Sequence, residues 1–446
     1  MVAKYMGSFS GLDSGDDPVG PLEYWFKCLG IWSELAQYAL EVLYCPPSSM
    51  LSERCFSAAS GVVTEKRSRL SPESVDRLTF LKINQALIEG TFLAPVGDRM
   101  SNIKAFVDHP KFRSFFETIV KDLTSEYWGH PEIGDSMSRL KEVLEYIATT
   151  GYHHRGMSVL ASFQELAGPA LQKEDIIQRV LAVSWCVELH QAFMTDDILD
   201  HSETRLGKPC WYKKDGIGMG ALNDISLLES CTYQILKKYC RRQPYYLNLL
   251  ELFLESSYQA QLGQSLDIIT SELGKVNLEG FTEARYKALV KQKNDSYAYY
   301  MPVAAAMYMA GIDDEEAHRN AKTILDQMAE FVQNQDDYED CFGDTTAMGE
   351  TGNDIEVNKC SWLVVEALKR VTPEQRRILQ ENYGKKDPEK VQWVKQLYEE
   401  LDLPTVYRKY EEEIYQKLQA LISQHANGLP KEIFQNLVRI LFKRQI

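Results

Sequence analysis

Along most of this chain the apolar residues recur at spacings of three and four, the period of a helix with one buried face. The apolar–polar alternation of a half-buried strand is nearly absent. From Ile103 onward such stretches follow one another with Gly and Pro between them, which predicts an all-α body over residues 96–446. Before residue 95 the punctuation differs. Pro18-Val19-Gly20-Pro21 precedes a helical stretch from Leu22 to Tyr44, and Cys45-Pro46-Pro47-Ser48-Ser49 breaks it. Ser71-Pro72-Glu73 then reads as an N-cap with Pro at the first helical position. A loop containing Pro95-Val96-Gly97-Asp98 separates this small helical segment, 1–95, from the larger body.

Two of the apolar stretches end in the same acidic pattern, D-D-x-x-D: Asp196-Asp197-Ile198-Leu199-Asp200 and Asp336-Asp337-Tyr338-Glu339-Asp340. Positions i and i+4 share a helix face, so Asp196 stacks with Asp200 and Asp336 with Asp340. Like charges stacked in this way destabilise a helix unless a cation neutralises them. A single such box is more often a solvated acidic face. Two, each closing an apolar stretch, point to hard oxygen ligands for Mg²⁺, an ion that keeps waters and bridges to substrate phosphates.

Composition narrows the classes. A net charge of −15 argues against a nucleic-acid partner or a broad anionic-membrane partner. The nine cysteines form no C-x-x-C pair and no framework, so reduced thiols and a cytoplasmic setting are expected. No apolar run reaches the ~18 residues of a membrane span, and Met1 to Pro18 has no signal-peptide core. Asp313-Asp314-Glu315-Glu316 has the look of a helix N-terminus. His153 and His154 are expected as exposed loop residues, and Tyr297, Tyr299 and Tyr300 as core or cavity lining.

Two resemblances add to this reading. Pro21-Leu22-Glu23-Tyr24-Trp25, Pro47 to Ser57 and Thr64 to Glu73 resemble the C-terminal dimerisation region of hAT-family transposases; no transposase activity is expected from the segment alone. The body resembles the short-chain trans-isoprenyl diphosphate synthases, close to the animal farnesyl diphosphate synthases. The resemblance runs through Gly129 to Asp135, Leu140 to Tyr146, Asp196 to Gly207, Lys208 to Tyr212, Gly263 to Asp267, Arg285-Tyr286-Lys287, Phe331 to Asp344 and Asn358 to Trp362. It implies an all-α isoprenoid synthase bundle, a homodimer, prenyl diphosphate substrates and about three Mg²⁺ ions. By the same resemblance Asp196, Asp200 and Asp336 are direct metal ligands, with Asp197, Asp337 and Asp340 supporting them. Arg205, Lys293 and Lys359 would hold the allylic diphosphate, with Gln333 beside the second box, and Asn294 stands where the family has a threonine that steadies the allylic cation. Arg155 and Gln191 match contacts to the second, homoallylic diphosphate.

Departures from the family pattern concentrate at that second subsite. Its G-K-x-x-R run reads Gly151-Tyr152-His153-His154-Arg155, and its arginine pair reads Arg205-Leu206. Glu350 stands where a family lysine lies, and two residues are missing between Gln191 and Asp196. That deletion is expected to re-aim Gln191 and to remove the aromatic floor of the cavity. Two lost cations leave a diphosphate poorly compensated. An intact ionisation site beside a depleted condensation site looks like the insect terpene synthases that arose from these enzymes. The expected activity is therefore a Mg²⁺-dependent class I sesquiterpene synthase, ionising farnesyl diphosphate to a bisabolane-type hydrocarbon or alcohol for a pheromone. A farnesyl diphosphate synthase condensing dimethylallyl or geranyl diphosphate with isopentenyl diphosphate is the alternative. A non-catalytic fusion protein is the third reading, opposed by the retention of both boxes and Lys293.

Overall fold

A computed structural model describes residues 110–442 apart from 128, 151–152, 191–192, 273–274 and 344–351, and apart from the side chains of 294–297. The segment 1–95, Tyr152, Gln191, Glu350, the side chain of Asn294 and the tail from Lys443 lie outside the described residues.

The described residues form the all-helical body that the periodicity predicts, with one short hairpin as the exception. Helices α1 (Pro110–Thr124), α2 (Gly134–Thr150) and α3 (His154–Leu166) pack around α4 (Glu174–His190). From Val180 to His190 every residue of α4 is buried, the signature of a helix inside a bundle rather than on its surface. Trp185 stacks on Phe112 at 4.4 Å and donates its indole N–H to the Phe112 carbonyl, which ties α4 to α1. A short α5 (Met194–Leu199) carries the first acidic box, with Asp200 at its C-cap.

After α5 the chain makes the hairpin, β1 (Thr204–Arg205) against β2 (Lys208–Pro209). Leu206 and Gly207 form its turn, both at positive φ (51° and 75°), the conformation that a two-residue hairpin loop requires. Helices α6 (Ala221–Cys240) and α7 (Tyr246–Thr270) follow, then α8 (Glu283–Val290). From Lys291 to Tyr300 the coil widens into a π-helical segment before α9 (Met301–Met309). Such segments are rare and cluster at functional sites.

Helix α10 (Glu315–Phe342) has 28 residues, which makes it ~40 Å long at 1.5 Å per residue. Asp314 caps it by accepting the Ala317 N–H, as its acidic start suggests. Ile324, Leu325, Met328 and Phe331 turn into a core shared with α14 (Leu403–His425) and α15 (Lys431–Phe442). A separate core lies between α8, α11 (Trp362–Leu368), α12 (Pro373–Asn382), α13 (Pro388–Glu400) and the start of α14. The C-terminal part of α10, with the second box, borders that core. Among the described residues no helix is long and apolar enough to cross a membrane, and the described cysteines are buried and form no disulfide with one another.

Candidate active site

A cavity of about 660 Å³ opens among α3, α5, the hairpin, the π-helical segment, α10 and α15. Asp196 and Asp200 reach it from one wall, and Asp336, Asp337 and Asp340 from another. Lys293, Lys359, Arg205, Arg155 and Gln333 line it as well.

Two largely buried lysines sit among the carboxylates. Lys293 Nζ lies 3.3 Å from Asp196 and donates to Asp267 at 3.1 Å. Burial works against its charge, but Asp196, Asp267 and Asp200 outweigh that cost and hold its pKa above the ordinary lysine value. Its position depends on Gly263, where a Cβ would overlap the Lys293 backbone. Lys359 Nζ lies 3.6 Å from both Asp200 and Asp354, and Asp200 above all keeps it charged against burial. Asn358, left-handed at φ 60° and donating to the Glu272 carbonyl, turns the chain to deliver it.

The two boxes are not equivalent position by position. In each, the second aspartate is withdrawn into the protein. Asp197 is fully buried, and its Oδ1 accepts from Arg205 Nε at 2.9 Å and Nη2 at 2.7 Å. Arg205 also lies over the Phe193 ring at 5.5 Å. The hairpin is thereby tied to the first box. Asp337, also buried, accepts from the Tyr286 hydroxyl (2.7 Å), Gln333 Nε2 (2.7 Å) and the Trp362 N–H (2.6 Å). Asp336 is exposed to the cavity. Asp340 accepts the backbone N–H groups of Asn353 and Asp354, and the Asn353 side chain donates to the Asp200 carbonyl. The 352–354 loop thus bridges the boxes. A Cβ on Gly352 would overlap the Asp340 carbonyl, so the approach requires glycine.

Burial pushes the carboxyls of Asp337, Asp340 and Asp354 upward, and for Asp354 the nearby Asp340 adds to the effect. Lys359 opposes the rise in all three, incompletely. This wall has more carboxylate than its own cations compensate, which is the condition a divalent ion relieves. Among the described residues no three acidic side chains already converge as a ligand set. Mg²⁺ takes one or two carboxylates and completes its shell with phosphate oxygens and water.

Residue reading alone assigned no role to Asp267, Asp354, Asn353, Glu188 or Tyr286. Asp267 closes the Gly263 to Asp267 run, but nothing in the spacing of Asp267 or Asp354 says which lysine each meets. His153, expected in an exposed loop, is instead 9% exposed and paired with Glu188 at 3.5 Å. Phe193 lines the cavity, its ring centroid 6.4 Å from that of Tyr146.

The polyprenyl synthetase family model matches residues 137–401, and that of the hAT family C-terminal dimerisation region matches residues 3–84. The chain belongs to the polyprenyl synthetase family. It is 55% identical over 351 residues to the farnesyl pyrophosphate synthase of Homo sapiens, covering 78% of this chain and 84% of that one. For the Gallus gallus enzyme of the same name the identity is 52% over 360 residues, covering 80% and 98%. For that of Murgantia histrionica it is 39% over 340 residues, covering 76% and 82%. Among solved structures, the T. brucei farnesyl diphosphate synthase complexed with risedronate matches with a TM-score of 0.69 at 28% identity, over 75% of this chain and 99% of that one.

These findings overturn the sesquiterpene synthase expectation, and with it the lyase and pheromone roles. Relatives named as farnesyl pyrophosphate synthases reach well over half identity, and the vertebrate ones stand nearer than the insect one. The physical reason is that ionisation and elongation share the metal-facing half of the site. Its retention cannot separate them, and the side-chain losses at Tyr152 and Leu206 touch only the homoallylic subsite.

Proposed function

We propose that this chain is an elongating prenyl diphosphate synthase that joins an allylic diphosphate, dimethylallyl and then geranyl, to isopentenyl diphosphate to give farnesyl diphosphate. The observation that carries the reading is the pair of buried lysines, each held between a first-box carboxylate and a further aspartate, on one cavity. Breaking the allylic C–O bond separates a carbocation from diphosphate, and fixed cations placed where that charge develops lower the barrier most. Lys293 and Lys359 supply such charge to the leaving group. Asp196, Asp200 and Asp336 would hold Mg²⁺, which would supply Lewis-acid stabilisation of the same group. Phe193, Tyr299, Ala329 and Val332 line the apolar part of the cavity and keep water from the cation. The isopentenyl double bond attacks the allylic carbon, and a proton leaves to form the new double bond. At the homoallylic end Arg155 and His154 line the wall, while Leu206 contributes no charge.

A homodimer belongs to the same reading. On α7, Leu247, Leu254, Tyr258, Leu262 and Ile269 are exposed at spacings of seven, four, four and seven. That places them along one helix face, and a second copy of the chain would cover it. The test of function is direct. Purified protein with Mg²⁺ is given geranyl plus isopentenyl diphosphate, or farnesyl diphosphate alone, and products are dephosphorylated and separated by gas chromatography–mass spectrometry. Farnesol from the pair, dependent on isopentenyl diphosphate, is the expected result. A discrete hydrocarbon from farnesyl diphosphate alone, with no elongation, would overturn the reading.

A further inference from the structure

The turn into α3 carries a buried ion pair that the chemistry above leaves unused. His153 is left-handed (φ 54°, ψ 25°) immediately before α3, a conformation that costs most non-Gly residues energy and needs support. Its ring lies against Trp185 and Phe112, at 5.2 and 5.9 Å between centroids. Nε2 faces the Ala148 carbonyl oxygen at 3.0 Å, and Nδ1 faces Glu188 Oε2 at 3.5 Å. With the Ala148 carbonyl at Nε2 and a carboxylate facing Nδ1, the charged imidazolium is the form this pocket matches.

Glu188 reaches the same turn from α4. Its Oε1 accepts the Gly156 N–H at 2.5 Å, capping the first turn of α3, where the helix dipole favours an anion. Gly156 makes the approach possible, because a Cβ there would lie 2.7 Å from the Ser184 carbonyl oxygen and 3.0 Å from Glu188 Cγ. Glu188 therefore holds residues 153 and 156, and between them His154 and Arg155 line the cavity.

We propose that His153 and Glu188 are a positioning pair that sets the turn bearing His154 and Arg155, and so governs binding of the homoallylic diphosphate. The inference rests on the elongation reading and deepens it. Burial opposes the imidazolium, but the nearby Glu188 carboxylate outweighs it and raises the His153 pKa; Arg113 of α1 pushes the other way. Burial likewise opposes the Glu188 carboxylate, yet His153, with Arg155 and His154 adding, holds it down to about 2. A raised histidine is protonated at low pH and loses its proton as pH rises through its folded pKa. The grip on the turn is therefore present on the acid side and released on the alkaline side.

The test measures KM for isopentenyl and for geranyl diphosphate across about pH 6 to 9 in the full chain, in His153→Gln and in Glu188→Gln. The His153 imidazole is also titrated by NMR without substrate, its resonance assigned by its absence in His153→Gln. In the parent chain, KM for isopentenyl diphosphate should rise about tenfold toward alkaline pH, the fold-change that about 1.4 kcal/mol of lost ion-pair interaction corresponds to. KM for geranyl diphosphate should stay within twofold of its starting value. His153→Gln should begin high and show no pH dependence, and Glu188→Gln should lower the imidazole pKa. Parallel changes in both KM values would overturn the proposal. So would an alkaline rise that persists in His153→Gln, or an imidazole titrating at or below the ordinary histidine value in the parent chain. If Glu188→Gln does not fold, the parent and His153→Gln still decide. If no elongation is found, the functional reading falls, and the substrate-free titration still decides whether the pair exists.

Discussion

Adjacent aspartates in the second box should fail in different ways when replaced. Asp337→Ala removes an acceptor used by three donors, Tyr286, Gln333 and the Trp362 N–H. Tyr286 keeps Asn334 as a partner at 2.7 Å, and Gln333 stands at the cavity and can turn to water. The Trp362 N–H is buried and would be left stranded. Losing an N–H to a charged acceptor, plus unfilled space behind it, comes to about 2–4 kcal/mol. Relief of the carboxylate's own burial cost offsets part of this, which favours the lower half of the range. Even so, it is a large share of the ~5–15 kcal/mol that holds a typical domain together. Asp336 is exposed to the cavity, so Asp336→Ala should change stability by less than about 0.5 kcal/mol. It should nonetheless lower kcat/KM by at least about a hundredfold, because a carboxylate that would hold Mg²⁺ against the leaving group is removed. Urea-unfolding midpoints by circular dichroism, beside diphosphate release from geranyl plus isopentenyl diphosphate, separate the two effects. An unchanged midpoint in Asp337→Ala, or equal destabilisation in both variants, would refute the division of labour.

Lys293→Ala should lower kcat by about 10²–10³-fold with helical content intact, and Gly263→Ala should move in the same direction by displacing the Lys293 backbone; single-turnover rates check both. His190 is buried and its pKa is pushed down to about 4 by that burial. The unfolded chain then binds a proton that the native state refuses, so stability is full above the ordinary histidine value and declines as pH falls toward 4. The loss is on the order of 3 kcal/mol, and His190→Leu should flatten the fall in melting temperature over that window. On the exposed face of α7, Leu254→Asp combined with Tyr258→Asp should convert a dimer to a monomer by sedimentation; an unchanged mass would place the interface elsewhere. Deleting residues 1–95 should leave kcat/KM within about threefold, since the described residues that line the cavity lie between Ile147 and Leu441, and loss of activity in a folded truncation would show otherwise.

The apolar period alone was enough to establish the helical body, because each helix had to bury a stripe and the stripes recur at helical spacing. The doubled D-D-x-x-D was equally legible, since stacked carboxylates need a cation whatever the fold around them. Which carboxylate meets which cation was not. Asp196 and Asp197 are neighbours in sequence, yet one faces the cavity near Lys293 and the other is buried against Arg205. That choice depends on how α5 lies against the hairpin, which no local pattern encodes. The same holds for His153. By sequence it is a polar residue in a turn, and only the packing of α1 and α4 encloses it and supplies Glu188 as its partner. Local chemistry determines what a segment can be, because propensity and charge act over a few residues. Partners brought together from 35 or 153 positions apart, as with Glu188 and His153 or Asn353 and the Asp200 carbonyl, exist only once the bundle has closed.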